Sequence, residues 1–390
     1  MDYQMKTLGA VATYINGRAF RPIEWEEYGK KIIRIQNLTD PRAKYNYSSQ
    51  EYDNRFLVKK GDLLFSWSAT LSVHIWNDED AWLNQHIFKV IPNESIDKKY
   101  LYYFLIHTIT ALYAKTHGSG MVHITKEPFM NTPIPVPPLP EQQRIVARIE
   151  ELFSQLDAGV ETLKKTKQQL EVYRQAVLKE AFDSVDTSFY HPLRTVILGS
   201  PQNGLYKPKS DYNEDGTPIL RIDGFYNGFV LSDYSYKRVN LSAEEIERYG
   251  LELGDLVVNR VNSMPYLGKC ALIRSLLEPT VFESNMMRIK LNANIVIGDW
   301  LIYYLTSYAG KKELTKNAKQ AVNQASINQT DVGNTYVPIP SRDVQQRLVR
   351  LIESRLSACD NIEQTVDTVF QQARAMRQSI LKQAYEGEII

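Results

Sequence analysis

Pro133-Ile134-Pro135-Val136-Pro137-Pro138-Leu139-Pro140-Glu141-Gln142-Gln143-Arg144-Ile145-Val146 is a proline-rich extended run that turns abruptly into a segment without proline. Nothing helical can precede Pro137-Pro138-Leu139-Pro140, because each ring removes a backbone donor and fixes φ. Glu141 then places a carboxylate at the positive end of the helix that follows. The transition is made twice. Pro135-Val136-Pro137 returns as Pro338-Ile339-Pro340, and Gln142-Gln143-Arg144 returns as Gln345-Gln346-Arg347, both at an offset of 203. Ser341 and Asp343 are possible N-caps at the second junction. The chain carries an internal repeat.

Downstream of each junction the offset stays at 203, pairing Glu150 with Glu353, Asp157 with Asp360, and Leu178-Lys179 with Leu381-Lys382. Residues 141–182 and 344–386 contain no proline and read as long helices. In the first, Ile149, Leu156, Leu163, Leu170 and Val177 recur every seven residues, with Ile145, Leu152 and Tyr173 on the neighbouring seam. In the second, Leu348, Ile362, Val369 and Met376 form one row, with Ile352, Val366, Ala373 and Ile380 beside it. Heptads sustained this long mean coiled coil, each helix roughly 60 Å in length at 1.5 Å per residue.

Upstream of each junction the offset climbs. Asn16-Gly17 matches Asn203-Gly204, and Ile33-Arg34-Ile35 matches Leu220-Arg221-Ile222, at 187. Gly61-Asp62-Leu63 matches Gly254-Asp255-Leu256 at 193, and the run from Tyr100 to Leu105 matches that from Trp300 to Leu305 at 200. Insertions thus accumulate in one part of each repeat and are absent from the other. Short β-type runs such as Lys31-Ile32-Ile33-Arg34-Ile35 and Asp255-Leu256-Val257-Val258 are broken by Gly, Asn, Asp and Pro. One helix is expected around Lys99–Thr116 and another around Asp299–Lys316. The organisation expected is a mixed α/β globular domain at 1–140, a spacer helix at 141–187, a second α/β domain at 188–343 and a second spacer helix at 344–390. Antiparallel pairing of the helices would give the whole a pseudo-twofold axis.

Composition narrows the function less than the repeat does. Lys+Arg number 46 against 45 Asp+Glu, a net charge of +1 that neither demands nor forbids nucleic acid, since a global sum is blind to local patches. Two cysteines, Cys270 and Cys359, form no disulfide framework and suggest a reducing cytoplasm. No run approaches a membrane span, and the first residues do not read as a secretory signal. There is no Asn-Pro-Pro-aromatic or Asp-Pro-Pro-Tyr tetrad, no phosphate-binding glycine loop and no dinucleotide fingerprint. The six His and two Cys are too scattered for a metal site. A non-catalytic protein is expected, with no metal or cofactor of its own.

Two equivalent units on a rigid separator match the local twofold symmetry of B-DNA, and two units of unequal sequence suit an asymmetric, split site. The junction quoted above resembles the proline-to-helix junction of type I restriction–modification specificity subunits. So do Gly61-Asp62-Leu63-Leu64-Phe65-Ser66 and Leu83-Asn84-Gln85-His86-Ile87-Phe88-Lys89-Val90. The resemblance covers the whole chain. It implies two target-recognition domains, each reading half of a bipartite double-stranded DNA site, and conserved helices that act as a ruler. It further implies docking of two modification subunits that bind S-adenosylmethionine and methylate adenine. Motor–nuclease restriction subunits, with Mg and ATP, complete the full complex. At the junctions it points to Glu141, Gln142, Gln143, Arg144, Gln345, Gln346 and Arg347 as partner contacts. The second junction departs from the first in reading Pro340-Ser341-Arg342-Asp343-Val344.

Base edges are read by polar side chains on loops and helix ends, and phosphates by Lys, Arg and backbone N–H groups. In the first domain the candidates are Arg34, Asn37, Ser66, Ser68, Thr70, His117, Ser119 and His123. In the second they are Arg221, Asn259, Arg260, Asn262, Ser263, Lys319, Gln320, Asn323 and Gln324. Clusters after the two Gly-Asp pairs occupy matched places in the repeat, as do those before the two junctions. Taken by itself, any single Asn or Ser is better read as a turn residue or a cap. Arg34 and Arg221 fit either a DNA-facing side chain or a structural ion pair, and His86 fits a hydrogen-bonded structural role. The rival readings are a non-enzymatic coiled-coil scaffold with twin protein-binding domains and an enzyme with an unrecognised carboxylate or His site.

Overall fold

The computed structural model describes residues 3–114, 126–322 and 324–389. The chain divides into two compact units, one made of Met1–Leu163 with Asp367–Ile390, the other of Lys164–Val366.

In the first unit, strands Ala12–Asn16, Ile87–Pro92, Leu63–Ser66 and Ser72–Ile75 form one four-stranded sheet in that spatial order. A second sheet orders Asn46–Ser48, Lys30–Ile33, Ala81–Leu83 and Leu57–Val58, with a parallel pair in the middle. The second unit repeats this. Gln202–Asn203, Met286–Ile289, Leu256–Asn259 and Cys270–Leu272 make its first sheet. Its second orders Tyr212–Asn213, Lys237–Val239, Thr217–Leu220 and Val281–Phe282, again with a parallel pair, Thr217–Leu220 beside Val281–Phe282. The fourth strand of the second sheet lies at opposite edges, and at each of those edges the other unit has a single antiparallel bridge, Glu26 with Tyr47 or Gly250 with Val281. The second unit also carries a small hairpin, Phe225–Tyr226 with Phe229–Val230.

The repeated Gly-Asp pair is a turn device. Gly61 and Gly254 sit at φ +90° and +88°, where a Cβ is strained. The carboxylates that follow close the turns, Asp62 accepting from the Lys59 N–H at 2.9 Å and Asp255 from the Glu252 N–H at 2.8 Å.

Lys98–Ala114 is one helix, as its apolar spacing requires. Its counterpart is broken into Gly298–Thr306 and Tyr308–Thr315, where a single helix was expected. Ser307 lies in an extended conformation between them and its Oγ accepts the Gly310 N–H at 3.1 Å. Gly310 lies so close to the Tyr304 carbonyl that a Cβ would fall 2.0 Å from the oxygen, so the break depends on that glycine.

The long helices are Leu139–Asp183 and Arg342–Glu386. Within the second unit they run antiparallel, since Arg174 pairs with Asp360 (2.5 Å) while Glu180, further along, pairs with Arg355 (2.6 Å), further back. Arg377 pairs with Asp157 in the first unit, the repeat-mate of the Arg174–Asp360 pair. The buried heptad row of the second helix is Ile352, Cys359, Val366, Ala373 and Ile380. The expected partner row fails as a seam: Ile362 and Met376 are 45% and 54% exposed. The thiol of Cys359 therefore acts as a small apolar core group.

Helix ends complete each core. Ile380, Leu381, Ala384 and Tyr385 join the main core of the first unit; Leu178, Ala181, Phe182 and Val185 join that of the second. Tyr385 packs edge-on to Tyr100 and Phe104, as Phe182 packs on Trp300 and Tyr304. Tyr100 Oη donates to the Pro135 carbonyl at 2.9 Å, and Trp300 Nε1 donates to the Pro338 carbonyl at 2.8 Å. Different residues make the same bond. Among the described residues no helix is long and apolar enough to cross a membrane.

Candidate nucleic-acid interface

In the second unit, strand Leu256–Asn259 ends at Asn259, which is fully buried. Its Nδ2 donates to the Tyr266 carbonyl at 3.2 Å and so ties down the loop between them. Arg260 leaves the strand next. Its backbone N–H donates to the Asn285 carbonyl (2.8 Å) and its Nη1 to the Ser284 carbonyl (3.1 Å), while its buried Nε has no partner among the described residues. Val261–Asn262 then pairs with Ala325–Ser326, which pairs in turn with Lys319–Gln320. The Ala321 N–H donates to the Gln324 carbonyl at 2.7 Å and closes the hairpin, beside whose exposed Gln324 stands Val322, 99% exposed. This three-stranded sheet brings Arg260, Asn262 and Ser263 beside Lys319, Gln320 and Gln324, clusters far apart in sequence. Asn262 and Gln320 flank the same residue, Ala325, from either side.

The first unit builds the same corner with other residues. Ser66 is fully buried and its Oγ donates to the Thr70 carbonyl at 2.6 Å, so it takes the clamping role of Asn259. Trp67 takes the place of Arg260, its N–H donating to the His86 carbonyl at 3.1 Å as Arg260 donates to that of Asn285. The Trp67 ring stacks on Phe88 with centroids 5.6 Å apart, and its Nε1 donates to Asn16 Oδ1 at 3.1 Å. Ser68 is buried and Thr70 exposed.

The remaining candidates separate by burial. Asn37 is buried and donates to the carbonyls of Ala43 and Lys44 at 3.3 and 3.1 Å, holding its own loop. Arg34 is half-buried over the Trp25 ring and donates to the Lys44 carbonyl at 3.3 Å. Arg221 forms an ion pair with Glu283 at 3.2 Å, the structural alternative for this matched position. His117, Ser119, His123 and Asn323 lie outside the described residues.

At the junctions the first Gln of each pair is a clip, where a partner contact was expected. Gln142 and Gln345 are fully buried. Gln142 donates to the Ser95 and Pro137 carbonyls (3.0 and 2.8 Å) and accepts from the Asp97 N–H (2.7 Å). Gln345 donates to the Ile295 and Pro340 carbonyls (3.0 and 2.8 Å) and accepts from the Ile297 N–H (2.9 Å). Each amide locks the start of a long helix onto its α/β domain. Glu141 accepts from Tyr3 Oη at 2.8 Å. Gln143, Arg144, Gln346 and Arg347 are exposed.

Sequence reasoning missed two features. Trp67 and His86 occupy the places of Arg260 and Asn285; carrying the offset of 193 on from the Gly-Asp pair would have revealed the first match, whereas the second lies at 199 and shows only in the shared backbone bond. A groove of about 630 Å³ in the second unit, walled by Tyr206, Lys207, Lys209, Arg221 and Lys237, was also missed. Its signal was the short run Tyr206-Lys207-Pro208-Lys209. Among the described residues no group of three or more His, Cys, Asp or Glu side chains could hold a metal ion.

A family model for the type I restriction modification DNA specificity domain matches the chain twice, over residues 1–172 and 197–369. The type I restriction enzyme EcoBI specificity subunit of Escherichia coli is 25% identical, over 98% of this chain and 85% of that protein. The MjaVIII specificity subunit of Methanocaldococcus jannaschii is 23% identical, over 100% of this chain and 93% of that protein. Among solved structures, a chain from work on complex assembly and conformational transition of the type I R-M system aligns over 99% of this chain and 98% of its own. Its TM-score is 0.65 at 19% identity, a likeness of fold.

Proposed function

The chain belongs to the type I restriction modification DNA specificity family, and from that premise we propose that its two units read the two unequal halves of one split double-stranded DNA site. It is a specificity subunit and not itself an enzyme. The observation that carries the reading is the corner after each Gly-Asp strand. One scaffold presents Arg260 with Asn262, Lys319 and Gln320 in one unit and Trp67 in the other. Residues of identical placement and unlike chemistry suit recognition of unlike sequences, since guanidinium and amide groups meet base edges that an indole does not.

In this reading the paired helices hold the gap between half-sites constant. Two modification subunits dock beside the junctions, where Gln143, Arg144, Gln346 and Arg347 are exposed. Those subunits bring S-adenosylmethionine, and restriction subunits bring Mg and ATP, so this chain needs no cofactor of its own. The assembly works in the cytoplasm, where its DNA is.

Adenine-methylation mapping of DNA from cells expressing the chain with its modification partner tests the proposal. A split motif with two defined halves and a fixed gap is expected. Methylation unchanged when the chain is omitted would overturn it and favour the protein-scaffold reading.

A further inference from the structure

The basic groove of the second unit has a wall shared with the reading corner. Ser284 and Asn285 line it, and their carbonyls are the ones that hold Arg260. Four cations, Lys207, Lys209, Arg221 and Lys237, line it against one carboxylate, Glu283, which is occupied by Arg221. Lys207 is held by Glu245 at 2.8 Å. Lys209 and Lys237 are exposed, and among the described residues neither has an anionic partner. Tyr206 stands at the rim, 77% exposed.

The first unit lacks these lysines, and the cation it carries in the place of Leu205, Arg18, is paired with Glu24. Its bridge between Arg18 and Asn84 matches that between Leu205 and Glu283, which puts Ala19, Phe20 and Pro22 where Tyr206, Lys207 and Lys209 stand. Asn46 opposite Ile32 holds the place of Lys237 opposite Ile219. Arg34 alone matches a groove cation, Arg221. The lysines are thus carried by one copy of a scaffold that folds without them in the other.

Resting on the DNA-reading proposal above, we infer that this groove seats a backbone phosphodiester of the duplex beside the bases met by Arg260, with Lys209 and Lys237 as its ligands. Lysine ammonium groups on flexible stems act as point charges and suit a phosphate, whereas a planar fork or an amide fixes a base edge more closely. The second unit then supplies affinity for any sequence as well as its share of specificity.

The test uses the chain assembled with its modification partner, titrated with target and scrambled duplexes at several salt concentrations. Lys209→Ala with Lys237→Ala is expected to weaken binding to both duplexes by a similar factor and to leave the methylated motif unchanged. The slope of log affinity against log salt should fall by roughly 0.9 for each phosphate that is no longer neutralised. The Lys209→Arg, Lys237→Arg pair should restore affinity and slope, which a folding defect would not allow. Unchanged affinity and slope in the alanine variant, or an altered base preference, would overturn the assignment. If the unmodified complex fails to distinguish target from scrambled DNA, the DNA-reading proposal falls, and this inference falls with it.

Discussion

The two corners after the Gly-Asp strands agree at a fully buried residue and differ at the half-buried one that follows it. Ser66 and Asn259 are both fully buried and both bond a carbonyl further round the loop, whereas Trp67 and Arg260, one residue on, share only a backbone bond. The junctions make the same point, since Gln142 and Gln345 repeat three hydrogen bonds each. Duplication preserved what fills space and satisfies buried polar groups. Side chains only half-buried, as Trp67 and Arg260 are, diverged.

If the two junction clips are equivalent, Gln142→Leu and Gln345→Leu should each cost about 3 kcal/mol, because buried carbonyls and an N–H are left without partners. Urea unfolding checks this, and a strong effect from only one of them would break the equivalence. The corners should respond unequally. Arg260→Ala should cost about 2 kcal/mol of base discrimination, confined to one half of the methylated motif. Trp67→Ala should affect only the other half, and relaxation of both halves by either change would contradict the division of labour. Gly61→Ala and Gly254→Ala should each cost about 1 kcal/mol through the left-handed turn, read as matching shifts in melting temperature.

The smallest effect separates the units by pH. Burial lowers the pKa of His74 and of His107, both in the first unit, so the unfolded chain takes up protons there more readily than the folded one. That unit loses stability as pH falls below about 6.5. In the second unit burial raises the pKa of Asp255, so its folded form binds the proton more readily and is favoured as pH falls. Hydrogen exchange should reveal the first unit opening before the second on mild acidification. The reverse order would remove these groups as the cause.

The repeat, both helices and both α/β domains were legible because periodicity and offset are local properties of a string. The orientation of single side chains was not. Asn37, Ser66 and Asn259 look like loop residues free to meet a ligand until the loop closes over them through bonds to Lys44, Thr70 and Tyr266. The buried heptad row was half hidden because Cys359 interrupts an aliphatic series, while Ile362 and Met376 imitate one. The break at Ser307 is decided by the close approach of Gly310 to the Tyr304 carbonyl, which no hydrophobic pattern records.

The first unit is completed by Asp367–Ile390, whose Ile380, Leu381, Ala384 and Tyr385 fill its core. During synthesis those residues leave the ribosome only after all of Lys164–Val366 has been made. The second unit, by contrast, draws on one uninterrupted stretch of chain. The unit begun before the other is therefore completed after it, and until then Tyr100 and Phe104 lack the ring of Tyr385 that packs on them. A chaperone that shields nascent apolar surface would hold the first unit until Asp367–Ile390 has emerged.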